Sequence, residues 1–216
     1  MNKYFQIVDK ISKDPMYLDR VHTESINKIV SSIICSLYEN KNFDYQNIEE
    51  KVKRINNYIL STVKERAQYG EYEYGDDLEF DEDEMIYRTA YAAFVKREAM
   101  SVGVAEAISI LLEVENIENK TILYTLDNKI LNYAVVVKNN NNKYFVIAPL
   151  LEQSCNRNMW DYNEILNKAT YILPNNSFFE NKVFPNGYGI NAKELLNKEN
   201  IKFVNGKDNI CKLFEV

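Results

Sequence analysis

The spacing of apolar residues changes from helical to strand-like in the middle of the chain, and this change restricts the fold more than any other feature. Apolar side chains recur at helical spacing in residues 20–38 and 47–66. The segment 102–114, VGVAEAISILLEV, is apolar on nearly every side and predicts a buried helix. Three β-branched and aromatic runs follow, which are 121–126, 131–138 and 143–149. Helices followed by strands predict an α+β fold in which helices pack on an antiparallel sheet.

Turn residues define the connection between the last two of these strands. Asn139 to Asn142 lie between them, and asparagine tolerates the left-handed backbone angles of tight turns. We therefore expect a β-hairpin. After residue 150 the pattern weakens, and the possible elements are strands at 169–173, 201–206 and 209–216 and a short helix at 191–198.

An acidic stretch, residues 71–84 with the sequence EYEYGDDLEFDEDE, precedes the buried helix. It does not match an EF-hand calcium loop, because the sixth position of that motif lacks its glycine. Two alternatives stay open, although a solvated loop is the favoured interpretation. One is contact with a basic protein partner through the interleaved aromatic residues. The other is cation binding through the carboxylates of Asp76, Asp77, Glu79, Asp81 and Asp83. The stretch leads into a predicted short helix whose inner face carries Tyr87, Tyr91, Phe94 and Val95.

The length, composition and net charge of the chain exclude some classes of function. The chain has 216 residues, of which 46% are hydrophobic, and this is enough for a sizeable core. Its net charge of -6 argues against a general nucleic-acid binder, which needs a basic surface. The sequence shows neither an apolar run of the ~20 residues that span a bilayer nor a signal peptide, which predicts a cytoplasmic protein. We expect an N-terminal helical segment (1–45), a core (46–150) and a C-terminal extension of the same domain (151–216).

The cysteines and the histidine suggest no metal or cofactor site. Cys35, Cys155 and Cys211 are odd in number and widely spaced, so neither a disulfide framework nor a zinc site is implied. We expect reduced thiols, with Cys35 in a core. His22 is the single histidine and lies on a predicted helix. We therefore predict that the protein uses no cofactor and no metal.

Residues 90–117, AYAAFVKREAMSVGVAEAISILLEVENI, resemble the nucleophile region of bacterial transglutaminase-like domains. That region reads approximately A-Y-G-A-L-V, then V-C-E-G-Y-A-E-A and a leucine-rich helix. Ser101 occupies the position of the cysteine nucleophile. The residues that match the pattern are Ala90, Tyr91, Ala93, Val95, Gly103, Ala105, Glu106, Ala107, Leu111, Leu112 and Ile117.

A second block resembles the part of this family that carries the general base. The segment NYAVVVKNNNNKYFVIAPL (132–150) corresponds to the family's strand, turn and strand. Asn132 stands where the family has its histidine, and Ala148 stands where it has an aspartate. Pro149 keeps the proline that follows the aspartate.

A third block lies upstream and completes the order of the family's motifs. The segment KVKRINNYILSTV (51–63) is similar to the family's K-V-x-x-I-H-D-Y-I helix, with Asn56 in place of its histidine. The resemblance covers residues 48–150 and implies a transglutaminase- or papain-like core, with a central helix that begins near Ser101 and packs on the sheet.

The resemblance also implies that the catalytic residues are missing. In the family, a cysteine thiolate at a helix N-terminus attacks the substrate, a histidine acts as general base and an aspartate orients the histidine. Ser101 is a far weaker nucleophile, the amide of Asn132 accepts no proton near neutral pH, and Ala148 cannot orient a base. Since such residues act as a unit, the three losses favour a protein that is not an enzyme.

These positions lead to two main hypotheses about function. The first is a pseudoenzyme that binds a polypeptide or self-associates through the former substrate cleft, with Tyr91, Ser101, Gly103, Asn132 and Tyr133 as candidate binding residues. The second is a divergent hydrolase or transferase that uses Ser101 or Cys155 as its nucleophile. A third and weaker hypothesis is an accessory protein that contacts its partner through the acidic stretch.

Overall fold

The computed structural model describes residues 20–39, 47–66, 86–125, 132–139, 143–149, 152, 159–161 and 170–172. The α-helices are α1 (Arg20–Tyr38), α2 (Ile48–Thr62) and α3 (Ser101–Val114). A 3-10 helix at Ile86–Arg88 and a π-helix at Ala92–Lys96 precede α3. The strands are β1 (Lys64–Glu65), β2 (Glu98–Ala99), β3 (Asn119–Thr125), β4 (Asn132–Lys138), β5 (Tyr144–Ile147), β6 (Trp160–Asp161) and β7 (Thr170–Ile172). The predicted α+β class is confirmed.

The helical stripe of α1 faces the core as its spacing predicts. Val30, Ile33 and Ile34 are buried in the main hydrophobic cluster. The prediction for Cys35 is wrong, because this thiol is exposed. Each helical residue turns by about 100°. Cys35 is therefore rotated by about 200° from Ile33 and lies on the opposite side of the helix from the stripe.

The start of helix α2 and its buried face have identifiable causes in the sequence. The Asn47 side chain accepts a hydrogen bond from the Glu50 amide at 3.1 Å, which caps one of the free N–H groups of the first turn. Val52, Ile55 and Ile59 then form the buried face, as their spacing predicts. Glu49 and Glu50 in the first turn complement the positive end of the helix dipole.

Helix α3 is the central helix, and it is buried along most of its length as its composition predicts. It ends in a Schellman motif without a glycine. Asn116 adopts the left-handed conformation (φ 59°) and its amide donates to the Glu113 carbonyl at 3.1 Å. The Ile117 amide donates to the Leu112 carbonyl at 2.9 Å, and both of these side chains are buried.

The main sheet has five antiparallel strands in the order β6-β5-β4-β3-β7. The predicted β4–β5 hairpin is confirmed by the pairing of Lys138 with Tyr144. β4 is the central strand, and its residues 133–137 are buried on both faces. Burial on both faces explains why this strand reads as a continuous apolar run rather than an alternating one. Alternate residues of β4, starting at Tyr133, belong to the cluster that includes α3.

The segment before α3 differs from the predicted short α-helix. Phe94 is buried, and Tyr87 and Tyr91 pack against the core at partial burial. The placement of Val95 on the inner face is wrong, because this side chain is 39% exposed. The π-helix has more residues per turn than the α-helix whose spacing the sequence pattern assumed. Because the segment is divided into a 3-10 helix and a π-helix, no single α-helical period runs through it, and Val95 falls outside the face that the pattern assigned.

The structure describes one of the elements predicted after residue 150. β7 confirms the strand predicted at 169–173. The acidic stretch 71–84 and the elements predicted at 191–198, 201–206 and 209–216 lie outside the described residues, as do Cys155 and Cys211. Within the described helices, none has the length and apolar character to cross a membrane.

Candidate functional site

Ser101 lies at the start of α3 and is held against the central strand. It is the first residue of the helix, directly after Met100, whose carbonyl accepts the first helical hydrogen bond. The Tyr133 amide donates a hydrogen bond to Ser101 Oγ at 3.4 Å. The Ser101 side chain is only 4% exposed. The hydroxyl therefore occupies the positive end of the α3 dipole and receives a backbone N–H as well.

The start of β4 is the part of this strand that meets Ser101. β4 begins at Asn132, and the hydrogen bond from the Tyr133 amide places this beginning beside the helix terminus. From β4, the backbone N–H of Tyr133, the residue after Asn132, contacts Ser101 Oγ. An N–H group donates and cannot accept a proton. It stabilises charge on the serine oxygen but does not act as a base.

Ala148 follows the last residue of β5 and lies at the same end of the sheet. Ile147 pairs with Val135, so the end of β5 adjoins the beginning of β4. Ser101 contacts the start of β4, and Ala148 lies at the same end of the sheet, although it does not belong to the hydrophobic cluster that includes α3. Ala148 is fully buried. Its methyl side chain offers no hydrogen-bonding group.

A buried polar cluster beside Ala148 was not predicted from the sequence. The Glu152 carboxylate is 1% exposed, and its Oε1 accepts a hydrogen bond from the Ala148 amide at 2.9 Å. Its Oε2 accepts a hydrogen bond from the Asn56 side-chain amide. Asn56, which stands where the resembled family has a histidine in its upstream helix, is fully buried on α2. The carboxylate therefore connects α2 to the end of β5.

The local sequence contains a feature that could have indicated Glu152. The Glu152 amide donates to the Ala148 carbonyl at 2.9 Å, so a helical turn begins at Ala148. Proline is favoured at the first position of a helix, which Pro149 occupies here. A carboxylate within the first turn often returns to a free amide at the helix start. What the sequence does not show is that Asn56, 96 residues away, supplies the second hydrogen bond.

A second buried carboxyl group lies on the two-stranded ribbon that leads into α3. β1 pairs in parallel with β2, and Glu65 is opposite Ala99, two residues before Ser101. Burial raises the pKa of Glu65 from its ordinary value of 4.5 to about 8. Its Oε2 is buried and has no hydrogen-bond partner among the described residues. Glu65 is therefore mostly a neutral acid at pH 7.

The other predicted binding residues are enclosed rather than open. Gly103 is buried in the first turn of α3, and the Tyr133 side chain is 4% exposed. Tyr91 is partly buried and packs against the main cluster.

Over the described part of the chain, no group of three or more His, Cys, Asp or Glu residues could hold a metal ion.

Two solved structures are similar to this chain. A crystal structure of a TGase has 14% sequence identity and a TM-score of 0.45, and the similarity covers 69% of this chain and 38% of that one. Calcium-bound LapG from Legionella pneumophila has 9% identity and a TM-score of 0.43, with coverage of 89% and 98% respectively. The chain thus spans well under half of the TGase. No family model and no curated protein matches the sequence.

Proposed function

We propose that this chain is a non-catalytic transglutaminase-like domain that binds a polypeptide, or a second copy of itself, around the former substrate cleft. The observation that carries this proposal is the contact at Ser101 Oγ. The group that meets this oxygen from β4 is the Tyr133 N–H, at 3.4 Å, and an N–H cannot take the serine proton.

The chemistry around this contact supports a lost activity. A serine hydroxyl needs an adjacent general base to attack a carbonyl carbon at neutral pH. At the Asn132 position the side-chain type is an amide, which is not a base. At the Ala148 position a methyl group replaces the carboxylate that would orient the base. The nearby carboxylate of Glu152 is occupied by the Ala148 amide and by Asn56.

The burial of Ser101 and its neighbours supports a change from a catalytic to a structural role for this serine. Ser101, Tyr133 and Ala148 are each at most 4% exposed. A hydroxyl enclosed in this way strengthens the junction between α3 and β4 and is a poor target for an entering substrate. Binding would then use the surface around the start of α3 and not the serine oxygen itself.

Activity-based labelling tests the non-catalytic part of the proposal. The native protein is treated separately with a fluorophosphonate and with iodoacetamide, and the modified peptides are identified by mass spectrometry. We expect no rapid stoichiometric labelling at Ser101 or Cys155. Since Cys35 is exposed and reacts with iodoacetamide in any case, the assay uses the Cys35→Ser variant. Rapid labelling of either residue that unfolding abolishes would contradict the proposal.

One feature favours the alternative, a divergent hydrolase or transferase. Ser101 Oγ combines a helix N-terminus with the Tyr133 N–H, and such donors stabilise negative charge on oxygen. With a base supplied by another part of the chain, Ser101 could act as a nucleophile; Cys155 is the other candidate. The labelling assay separates the two functions, because only the enzyme shows fold-dependent labelling.

Sedimentation velocity tests the association part of the proposal. The protein is measured over a hundredfold range of concentration, with and without the Tyr91→Ala substitution. Self-association through the surface near α3 predicts a concentration-dependent sedimentation coefficient that the substitution lowers. A Cys35→Ala variant, altered on the exposed side of α1, serves as the control. A constant monomer coefficient removes self-association and leaves a different polypeptide as the ligand.

A further inference from the structure

The β1–β2 ribbon carries a cluster of cations and an aromatic ring on one of its faces. Lys64 is opposite Glu98 in the parallel pairing, and Arg66 follows Lys64 by two residues in the same extended segment. The Arg66 amide donates to the Ala99 carbonyl at 2.9 Å, so the ladder continues past β1. Residues i and i+2 of a strand share a face, which places Lys64 and Arg66 on the same side.

Tyr87 connects this face to the π-helix. The Arg66 guanidinium carbon lies 4.0 Å from the centroid of the Tyr87 ring, and Lys96 Nζ lies 5.0 Å from it. Arg66 also approaches the Glu98 carboxylate at 3.7 Å. Lys64, Arg66, Tyr87, Lys96 and Glu98 therefore form one contiguous surface, which we call the ribbon patch.

The ribbon patch has the opposite charge to the rest of the protein. It contains three cations and one carboxylate, whereas the whole chain has a net charge of -6. Lys64 and Lys96 are exposed, and neither forms an ion pair with any residue in the described ranges. Glu65, between the two cations of β1, is mostly uncharged at neutral pH because burial raises its pKa to about 8. The ribbon patch therefore keeps an excess of positive charge, because Glu98 offsets only one of its three cations.

An apolar side chain adjoins these cations in the sequence. Val95, directly before Lys96, is 39% exposed and is the large hydrophobic residue that is exposed within the described segments. The Tyr87 ring packs against the core at partial burial and lies within 5.0 Å of two cations, so its position is largely fixed before a partner binds. Aromatic residues and arginine, here Tyr87 and Arg66, are enriched at protein interfaces.

We propose that the ribbon patch docks an acidic polypeptide segment of a partner protein, one that carries aromatic or apolar side chains among its carboxylates. Carboxylates of the segment pair with Lys64 and Lys96, and its rings pack on Tyr87 and Val95. A polypeptide fits better than a nucleic acid, because three cations, one of which already approaches Glu98, are too few to neutralise a run of phosphates. The proposal uses none of the residues Ser101, Tyr133 and Ala148 that carry the proposed function, so the peptide-binding test and the labelling assay can fail separately.

Fluorescence anisotropy with a labelled (Glu-Glu-Tyr)4 peptide and the full chain tests the proposal. We expect saturable binding that weakens as salt is added, because exposed charges are screened. Lys64→Glu with Lys96→Glu should weaken binding at least tenfold. The matched control is Lys28→Glu with Lys53→Glu, which changes the net charge equally at exposed helical sites and should leave binding within about twofold. Circular dichroism verifies folding, and the milder Lys96→Gln replaces the double variant if that one unfolds.

Several outcomes would overturn the proposal. Absence of peptide binding, or equal weakening in the ribbon and control variants, removes the ribbon patch as the docking surface. A single-stranded oligonucleotide that binds while the peptide does not assigns the patch to nucleic acid instead. Binding that appears only after Asp81, Glu82, Asp83 and Glu84 are replaced by serine assigns it to an intramolecular contact with the chain's own acidic stretch.

Discussion

The backbone amide of Tyr133 donates a hydrogen bond to Ser101 Oγ at 3.4 Å, and this contact joins the first residue of α3 to the start of the central strand. Both residues are 4% exposed. A buried backbone amide that loses its acceptor is costly, because water cannot replace the lost partner. The Ser101 side chain therefore has a structural contact in this protein.

Replacing Ser101 by alanine should lower the free energy of unfolding by about 1–2 kcal/mol, since the Tyr133 amide loses this acceptor inside the core. Urea denaturation followed by circular dichroism measures the change. Ser61→Ala is the matched control, because the exposed Ser61 hydroxyl bonds only the nearby Tyr58 carbonyl of its own helix. The control should cost no more than about 0.5 kcal/mol. Equal losses in the two variants would show that the Tyr133 contact adds no stability.

The amide of Asn56 and the carboxylate of Glu152 can be exchanged between the two positions while the number of hydrogen bonds is kept. In Glu152→Gln, the new amide can serve only one of the two donors, the Ala148 N–H and the Asn56 NH2, so one of these meets another donor. In Asn56→Asp, two buried carboxylates face each other. Each single variant should lose about 2–4 kcal/mol of unfolding free energy.

The double variant Asn56→Asp with Glu152→Gln should recover much of this loss. The new amide at position 152 would accept from the Ala148 N–H with its oxygen and donate with its nitrogen to the new carboxylate at position 56, so each buried group regains a partner. A double-mutant cycle in urea should therefore give a favourable coupling of at least about 1 kcal/mol. Additive losses would mean that the two side chains do not interact in solution.

The sequence predicted those elements whose apolar spacing is regular. α3 was recognisable because it is apolar on nearly all sides, and β4 because a central strand buried on both faces is a continuous apolar run. Cys35 and Val95 were misplaced for different reasons. The first was assigned to the core from its apolar character and not from its position on α1. The second lies in a π-helix that the α-helical period cannot describe.

The candidate site was predictable only in part. Ser101 and Ala148 could be assigned to one site because the resembled family places its motifs in this order. The contact of Ser101 with the Tyr133 amide joins residues 32 positions apart and depends on how α3 packs against β4, which apolar patterns do not fix to the atom. The Glu152–Asn56 bond joins residues 96 positions apart and needs the tertiary structure.

The buried carboxyl of Glu65 should make stability depend on pH. Its folded-state pKa of about 8 lies above the ordinary value of 4.5, so the folded protein keeps this proton while the unfolded chain releases it. Stability should therefore fall as pH rises from about 4.5 to about 8, in proportion to the difference in bound protons. Glu65→Gln removes this titration. The variant should match the wild type near pH 4 and exceed it at pH 9 by on the order of 1–4 kcal/mol.

The comparison for Glu65 is made between variant and wild type at each pH, because the other ionisable groups then cancel. Glu98→Gln is the control on the neighbouring strand, since the Glu98 carboxylate is 40% exposed and lies near Arg66. This substitution should produce no gain in stability at high pH. A flat difference between Glu65→Gln and the wild type from pH 4 to pH 9 would mean that Glu65 ionises normally in the fold.

The end of α3 offers a test of backbone conformation, because Asn116 holds the left-handed angle (φ 59°) that closes the Schellman motif. Asn116→Gly should leave the protein at least as stable, since glycine adopts this angle without a side-chain clash. Asn116→Val should lower the unfolding free energy by about 1–2 kcal/mol, because a β-branched side chain collides with the backbone there. Lys53→Val, at an exposed site inside α2, is the control. It should lower the unfolding free energy by only about 0.5–1 kcal/mol, because it changes helix propensity and removes a surface ion pair. Urea denaturation ranks the stability of the variants. A valine variant as stable as the glycine variant would show that α3 does not end in this motif in solution.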